Sequence, residues 1–286
     1  MKVPAVLLRK RQRVHKGSFG HLLVVAGSPS MLGAACLVAL ASMRSGVGMV
    51  TAAIPARLNL GLQKKIAHVI MTLALPGLKG EFFAVGDLKV LAKQWPRFTA
   101  VAIGPGIGTQ PSTAAFVRGM LAQCPLPMVV DADALNALAL SSGFRRGAGL
   151  SSLSFSGAPR IFTPHPGEFF RLTGFKPSSD RDRASAAKAY AKANRVVIAL
   201  KGHHTVVASP EGRVFVNDTG DPGMAKAGMG DVLTGIIGAL LAQGVPAFEA
   251  VRYAVHWHGA LGSACVKRQK VFSLTASDLI DQLTVR

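Results

Sequence analysis

The 286-residue chain reads as an α/β protein built on a mostly parallel central sheet with helices on both faces. Three observations carry that expectation. Short apolar runs alternate with longer Ala-rich stretches; the runs are apolar at nearly every position, as in strands buried on both sides; and the loops rich in Gly, Pro and charge each follow directly on an apolar run. In an open parallel sheet such loops lie at the carboxyl ends of the strands, where ligands bind. With 49% hydrophobic residues the chain can bury a large core. A single domain over residues 1–286 is expected.

The elements follow in order. HLLVVAG (21–27) is a strand closed by Gly, GAACLVALASMRSG (33–46) a helix with a Gly stop, and GMVTAAIP the next strand. FTAVAIGPGIG (98–108) is a strand running into a double-Gly turn, and PSTAAFVRGMLAQC a helix beginning at Pro111. PMVVDADALNALAL passes from strand to helix through Asp131 and Asp133, with Asp133 expected as the N-cap. Residues 141–160 read as a low-order linker that need not divide the chain. PRIFTPHPGEFFRLTG, SAAKAYAKANRVVIALKG and TVVASPEGRVFVND are expected to complete the strand and helix alternation. Asp231 to Ala242 is a buried helix entered through a glycine loop, and EAVRYAVHWHGAL is a further helix in which one of His256 and His258 is buried beside a core Trp257. No internal repeat is present.

Lys and Arg outnumber Asp and Glu by 33 to 14, a net charge of +19, and no acid precedes Glu81. That field attracts anions, either nucleic acid or small phosphate-rich ligands. Aromatics are only 6% and the basic residues are spread along the chain, which favours the small anion over nucleic acid. No apolar run approaches the roughly 20 residues of a membrane-spanning helix. The basic N-terminus has no continuous apolar core and is read as a mature start. Cys36, Cys124 and Cys265 are an odd number at wide spacing, which supports neither a disulfide framework nor a zinc site and fits a reducing cytoplasm.

The most informative stretch is AKAGMGDVLTGIIGALLAQG. Gly228 and Gly230 are expected to adopt positive φ and leave their amides uncovered, so the helix they open presents an anion site. Asp231 there has two readings: a first-turn acid interacting with the helix dipole, or a general base beside a phosphate cradle. The first leaves the glycines unexplained. No GxxxxGK[ST] occurs, and GPGIG lacks the full dinucleotide-binding spacing. His165 and Glu168 are three apart, but Pro164 and Pro166 argue against a helix aligning them, and no metal site is expected.

GxGD opening an apolar helix resembles the anion-hole motif of the ribokinase-like fold. The longer stretch from Asn217, with HKGSFGHLLVVAGSPSMLGAA, AIGPGIG, FTPHPGEFFRLTG, LKGHHTVVASPEG, VVDADALNAL and LTASDL, resembles the ADP/ATP-dependent NAD(P)H-hydrate dehydratases across residues 15–282. The resemblance implies phosphorylation of the hydrated nicotinamide ring by ADP or ATP, with Mg²⁺ bridging phosphates, followed by loss of phosphate. It implies Asp231 as base and substrate contact, and the amides of Gly228, Met229 and Gly230 as the anion hole. Ala35, Gly106 and His165 then meet the hydrate, while Lys201, Gly202, His203, His204, Thr205 and Gly230 meet the nucleotide. It also implies a homotetramer and a functional partnership with a separate NAD(P)H-hydrate epimerase, since many relatives carry that domain ahead of the dehydratase. The chain departs from the family in 259–272, where an HGxAGD-like continuation is replaced by HGALGSACVKRQ. A small-molecule kinase of the same fold is compatible with GMGD and KGHHT, whereas HPGE and SPSMLGAA lean toward the dehydratase. Steep salt dependence of duplex binding would mark a nucleic-acid-associated protein instead.

Overall fold

The computed structural model describes residues 1–8, 15–140, 157–269 and 274–283. The expected linker falls mainly outside these residues, as do 270–272 of the divergent segment. Along the chain run β1 (His21–Val25), α1 (Leu32–Arg44), β2 (Met49–Pro55), α2 (Asn59–Lys65), β3 (Met71–Leu75), α3 (Asp87–Ala92), β4 (Ala100–Ile103), α4 (Pro111–Gln123), β5 (Met128–Val130) and α5 (Asp133–Leu140). They are followed by β6 (Arg160–Phe162), α6 (Pro166–Thr173), α7 (Asp180–Asn194), β7 (Val197–Leu200), β8 (Val206–Ala208), β9 (Val214–Val216), α8 (Met229–Ala242), α9 (Ala247–Gln269) and α10 (Ala276–Asp281).

Nine strands form one sheet in the order β3-β2-β1-β4-β5-β6-β7-β8-β9. All pairs up to β6–β7 are parallel. The chain winds outward from β1 to β3, then returns to place β4 on the other side of β1, so the order reverses between β1 and β4. That reversal opens a crevice at the carboxyl ends, the usual ligand position in such sheets. The loops that follow β1 and β4 meet there, joined by Gly27 N–H donating to Pro105 O at 2.9 Å.

The apolar runs behave as strands covered on both faces. In β1, Leu22 and Val24 join the core beneath α1, α8 and α9, while Leu23 and Val25 join the core beneath α4, α5 and α7. The period of two thus feeds two separate cores from one strand. Every residue of α8 from Val232 to Ala242 is buried, which explains why its sequence is apolar all round. It presses on α1 at Gly235, where an added Cβ would lie 2.6 Å from Val38 O.

Two expectations need correction. TVVASPEGRVFVND does not extend the parallel alternation: β8 and β9 form an antiparallel hairpin at the sheet edge. Its turn is too short for a crossover, with Ser209 N–H donating to Arg213 O. Asp133 is the first residue of α5 rather than its cap, and its carboxylate accepts from Gly108 N–H at 3.0 Å. Elements α2, β3 and α3 had no clear sequence signal; β3 is an edge strand, buried only at Leu75, and lacks the continuous apolar run. Arg160, 1% exposed, starts β6 by donating to the carbonyls of Leu121, Cys124, Leu126 and Ala158, which ties the end of α4 to β5 and β6.

Candidate active site

The mouth of α8 is built by its entry residues. Gly228 is the N-cap at φ +86°, a left-handed turn that an L side chain resists, and a Cβ there would lie 2.7 Å from Leu37 Cδ1. Gly230 departs from expectation: it is helical, and its role is space. A Cβ on Gly230 would stand 3.5 Å from Lys201 Nζ and 3.8 Å from Asp131 Oδ2. The amide of Met229 reaches Lys226 O at 3.4 Å, whereas that of Gly230 takes no partner among the described residues. Unpaired first-turn amides and the positive helix end make this a place for an anion.

Beneath the mouth lies a charged array. Asp131, at the carboxyl end of β5, is 1% exposed and accepts from Lys201 Nζ at 2.8 Å and from Thr234 Oγ1 of α8 at 2.6 Å. Burial works to lower the Lys201 pKa, but Asp131, Glu168 and Asp231 outweigh it, and the ammonium is held above its ordinary value. Burial pushes the Asp231 carboxyl up to about 7, with Asp131 and Asp133 adding to the shift and Lys201 opposing it. A carboxyl titrating there can hold or release a proton at working pH.

The loop after β6 joins this array through Pro164 O, which accepts from Lys201 N–H at 2.9 Å. Here the expectation about the prolines is corrected. Pro166 opens α6 at its first position, where a missing N–H does no harm, and His165 and Glu168 form a reciprocal capping pair. His165 Nδ1 accepts from the amides of Gly167 and Glu168, while Glu168 Oε2 accepts from His165 N–H at 2.8 Å. The accepting Nδ1 leaves the hydrogen on Nε2, 3.4 Å from Glu168 Oε1. Burial, then Lys201 and Arg171, hold the His165 pKa below its usual value, so the ring is a neutral donor at its exposed edge. Burial raises the Glu168 carboxyl, against the pull of Lys201.

The remaining expected residues fall around this centre. Gly106, at φ +65°, closes on the start of α1, where a Cβ would lie 2.8 Å from Met31 Cβ. Ala35 is in the first turn of α1 with its methyl fully buried, and a Cβ on Gly27 would lie 3.3 Å from that methyl. Gly202 packs on the Arg183 guanidinium, which also takes the carbonyls of Leu200 and Lys201. His204 Nδ1 lies 2.8 Å from Asp180 Oδ2, His203 stacks edge-on against His204 and is exposed, and Thr205 Oγ1 donates to Gly202 O at 3.4 Å. Sequence reasoning gave no role to Asp131, Thr234 or His258; the first had a usable signal, an acid directly after a buried strand.

Among the described residues no group of three His, Cys, Asp or Glu side chains could cage a metal ion. The donor chemistry does fit a Mg²⁺ carried on nucleotide phosphates, which needs one or two carboxylates and waters rather than a protein cage. Asp131 is buried with its oxygens on Lys201 and Thr234, and Glu168 Oε2 accepts from His165 N–H, so Glu168 Oε1, waters and the phosphates themselves would hold such an ion.

A reversed parallel sheet with a Gly-X-Gly-Asp helix mouth over a half-buried Lys paired to a buried Asp defines a ribokinase-like protein with a site suited to phosphoryl chemistry. A family model described as NAD(P)H-hydrate dehydratase matches residues 22–285, and the chain belongs to that family. It is 39% identical over 278 residues to a bifunctional NAD(P)H-hydrate repair enzyme of Moorella thermoacetica, covering 97% of this chain and 51% of the relative. The chain thus spans about half the length of such bifunctional relatives. It is 36% identical to an ADP-dependent (S)-NAD(P)H-hydrate dehydratase of Bacillus subtilis, covering 98% of this chain and 94% of that one. A solved ADP/ATP-dependent NAD(P)H-hydrate dehydratase of B. subtilis, co-crystallised with ATP/Mg²⁺, superposes with a TM-score of 0.77 at 30% identity, covering 98% of this chain and 92% of that chain. A ribokinase-like protein of Enterococcus faecalis, 23% identical with a TM-score of 0.77 and covering 96% of this chain and 89% of that chain, shares the fold.

Proposed function

We propose that the chain is a nucleotide-dependent lyase that restores NADH or NADPH from the S form of its hydrate, using ADP or ATP. The observation that carries this reading is the Asp231 carboxyl, pushed up to about 7, at a helix mouth whose Gly230 amide, beside Lys201, has no partner among the described residues. The ring hydroxyl of the hydrate attacks the terminal phosphorus of the nucleotide as Asp231 takes its proton, and the bridging P–O bond breaks to release AMP from ADP or ADP from ATP. The Gly228–Met229–Gly230 amides and the Lys201 ammonium stabilise charge spreading over the transferring group. The C–O bond then breaks as phosphate leaves, and loss of a proton from the neighbouring ring carbon restores the double bond.

The other roles follow the same geometry. In this reading His165 donates from Nε2–H to the hydrate, and Gly106 with the start of α1 at Ala35 contacts the same ligand. The loop Lys201, Gly202, His203, His204 and Thr205 holds the nucleotide, with Arg183 and Asp180 bracing it from α7. Mg²⁺ carried by the nucleotide, with Glu168 as the carboxylate that would meet it, would supply charge neutralisation at the phosphates. A homotetramer and a separately supplied epimerase complete the proposal.

Replacing the base tests the assignment. Asp231→Asn is expected to fold and to bind ADP, with turnover down roughly two to four orders of magnitude. The rate of inorganic phosphate release with hydrate and ADP present is the readout; a wild-type rate in Asp231→Asn would remove Asp231 from its role.

A further inference from the structure

Helix α9 reaches the mouth of α8 through one side chain. His258 Nε2 lies 3.1 Å from Met229 O, and since a carbonyl only accepts, Nε2 carries the hydrogen and donates it. Met229 O and Gly230 N–H belong to the same peptide unit. That unit is planar and trans, so its carbonyl and its N–H point in opposite directions. Whatever fixes the carbonyl therefore fixes the amide that faces out of the mouth.

The surrounding sequence gives such a tether something to do, because this peptide is at the frayed first turn of α8. The peptide joins Met229 to Gly230, the first two residues of α8, directly after Gly228 at φ +86°, and a glycine on its amide side leaves the backbone more freedom than a residue with a side chain would. Gly228 has no side chain to cap the helix, and the Gly230 amide has no partner among the described residues. Burial, with Lys201 adding to it and the Met229 bond opposing, pushes His258 down to about 4, so the ring stays neutral near Lys201 and remains a single-proton donor.

We propose that His258 is a positioning residue that holds the Met229–Gly230 peptide in register and polarises its N–H toward the transferring phosphoryl group. This rests on the phosphoryl-transfer reading of the site only for its effect on rate. A hydrogen bond donated to the carbonyl strengthens the amide of the same unit as a donor. The effect belongs to the transition state, where charge on the phosphoryl oxygens is greatest, more than to nucleotide binding.

Two substitutions separate this role from simple packing. His258→Phe keeps a ring and loses the donor; His258→Gln keeps a donor near the Nε2 position. With Asp231 intact, His258→Phe is expected to lower kcat about tenfold while the nucleotide KM moves less than about threefold, and His258→Gln to recover most of the loss. A second readout needs no turnover. In protein labelled with ¹⁵N-glycine, the Gly230 amide resonance, assigned by its disappearance in Gly230→Ala, is expected to move upfield in His258→Phe and to stay in place in His258→Gln. An unmoved Gly230 amide in His258→Phe overturns the tether whatever the turnover. So does a folded His258→Phe with wild-type kcat, or a kcat loss that His258→Gln does not recover. If His258→Phe does not fold, a His258→Gln protein whose Gly230 amide moves as far as complete loss of the bond requires overturns it as well. Absence of nucleotide-dependent turnover in the wild type would sink the reaction assignment and leave the resonance test standing.

Discussion

Asp231 sits under opposed influences: the helix end and Lys201 favour its charge, while burial and the neighbouring Asp131 and Asp133 disfavour it. Burial prevails, and two consequences follow. A base titrating near 7 must be ionised to work, so kcat/KM is expected to fall as pH drops through about 7, and Asp231→Asn to lose that limb along with most of its rate. The stability sign is the reverse of the usual carboxylate. The folded state holds a proton that the unfolded state releases near 4, so between about 4 and 7 rising pH weakens the fold. Asp231→Asn is therefore expected to be more stable than wild type at pH 8, by an amount on the order of 1–2 kcal/mol after solvent screening, and to gain little at pH 4. Thermal denaturation at the two pH values checks this. Asp231 and Lys201 each stand in a short local pattern that singles them out in the sequence. Asp131 carries a signal as well, an acid directly after a buried strand, but its pairing does not, because its partners lie 70 and 103 positions away and only the closed sheet brings them together.

Helix α8 is legible at the element scale from its apolar density, and its entry from the glycines, but the two glycines serve different needs. Gly228 supplies the left-handed turn and clearance from Leu37 and Ala276; Gly230 supplies room over Lys201. Gly228→Ala is expected to destabilise the protein by roughly 1–3 kcal/mol and to weaken nucleotide binding, seen together as a lower Tm and a higher Kd. Arg160 illustrates what composition conceals: a basic residue at the start of a buried strand looks misplaced until its four carbonyl partners are in view. Arg160→Met removes the donors that those four carbonyls share and is expected to lower stability by about 2–4 kcal/mol without changing nucleotide KM in protein that remains folded. The β8–β9 hairpin and β3 were hidden for related reasons. Edge strands are half-covered, so their apolar pattern is weaker, and pairing direction depends on loop length more than on the strands themselves.

Across the whole molecule, the sheet reversal between β1 and β4 places the ligand end, and a net charge of +19 gives the protein a field that attracts anions. The alternation of apolar runs with helices was enough to predict a mostly parallel sheet and the end at which ligands bind. It could not give the strand order, which rests on contacts between segments far apart in sequence. Long-range attraction of polyanionic ligands predicts that raising salt from about 50 to 500 mM increases the nucleotide KM several-fold with little change in kcat. The central claim is tested most directly by near-UV absorbance of the purified protein mixed with NADPH hydrate and Mg²⁺, with ADP, with ATP, or with no nucleotide. The account predicts return of the dihydronicotinamide band only where a nucleotide is present; no return with either nucleotide, from folded protein, would contradict it and point to a small-molecule kinase.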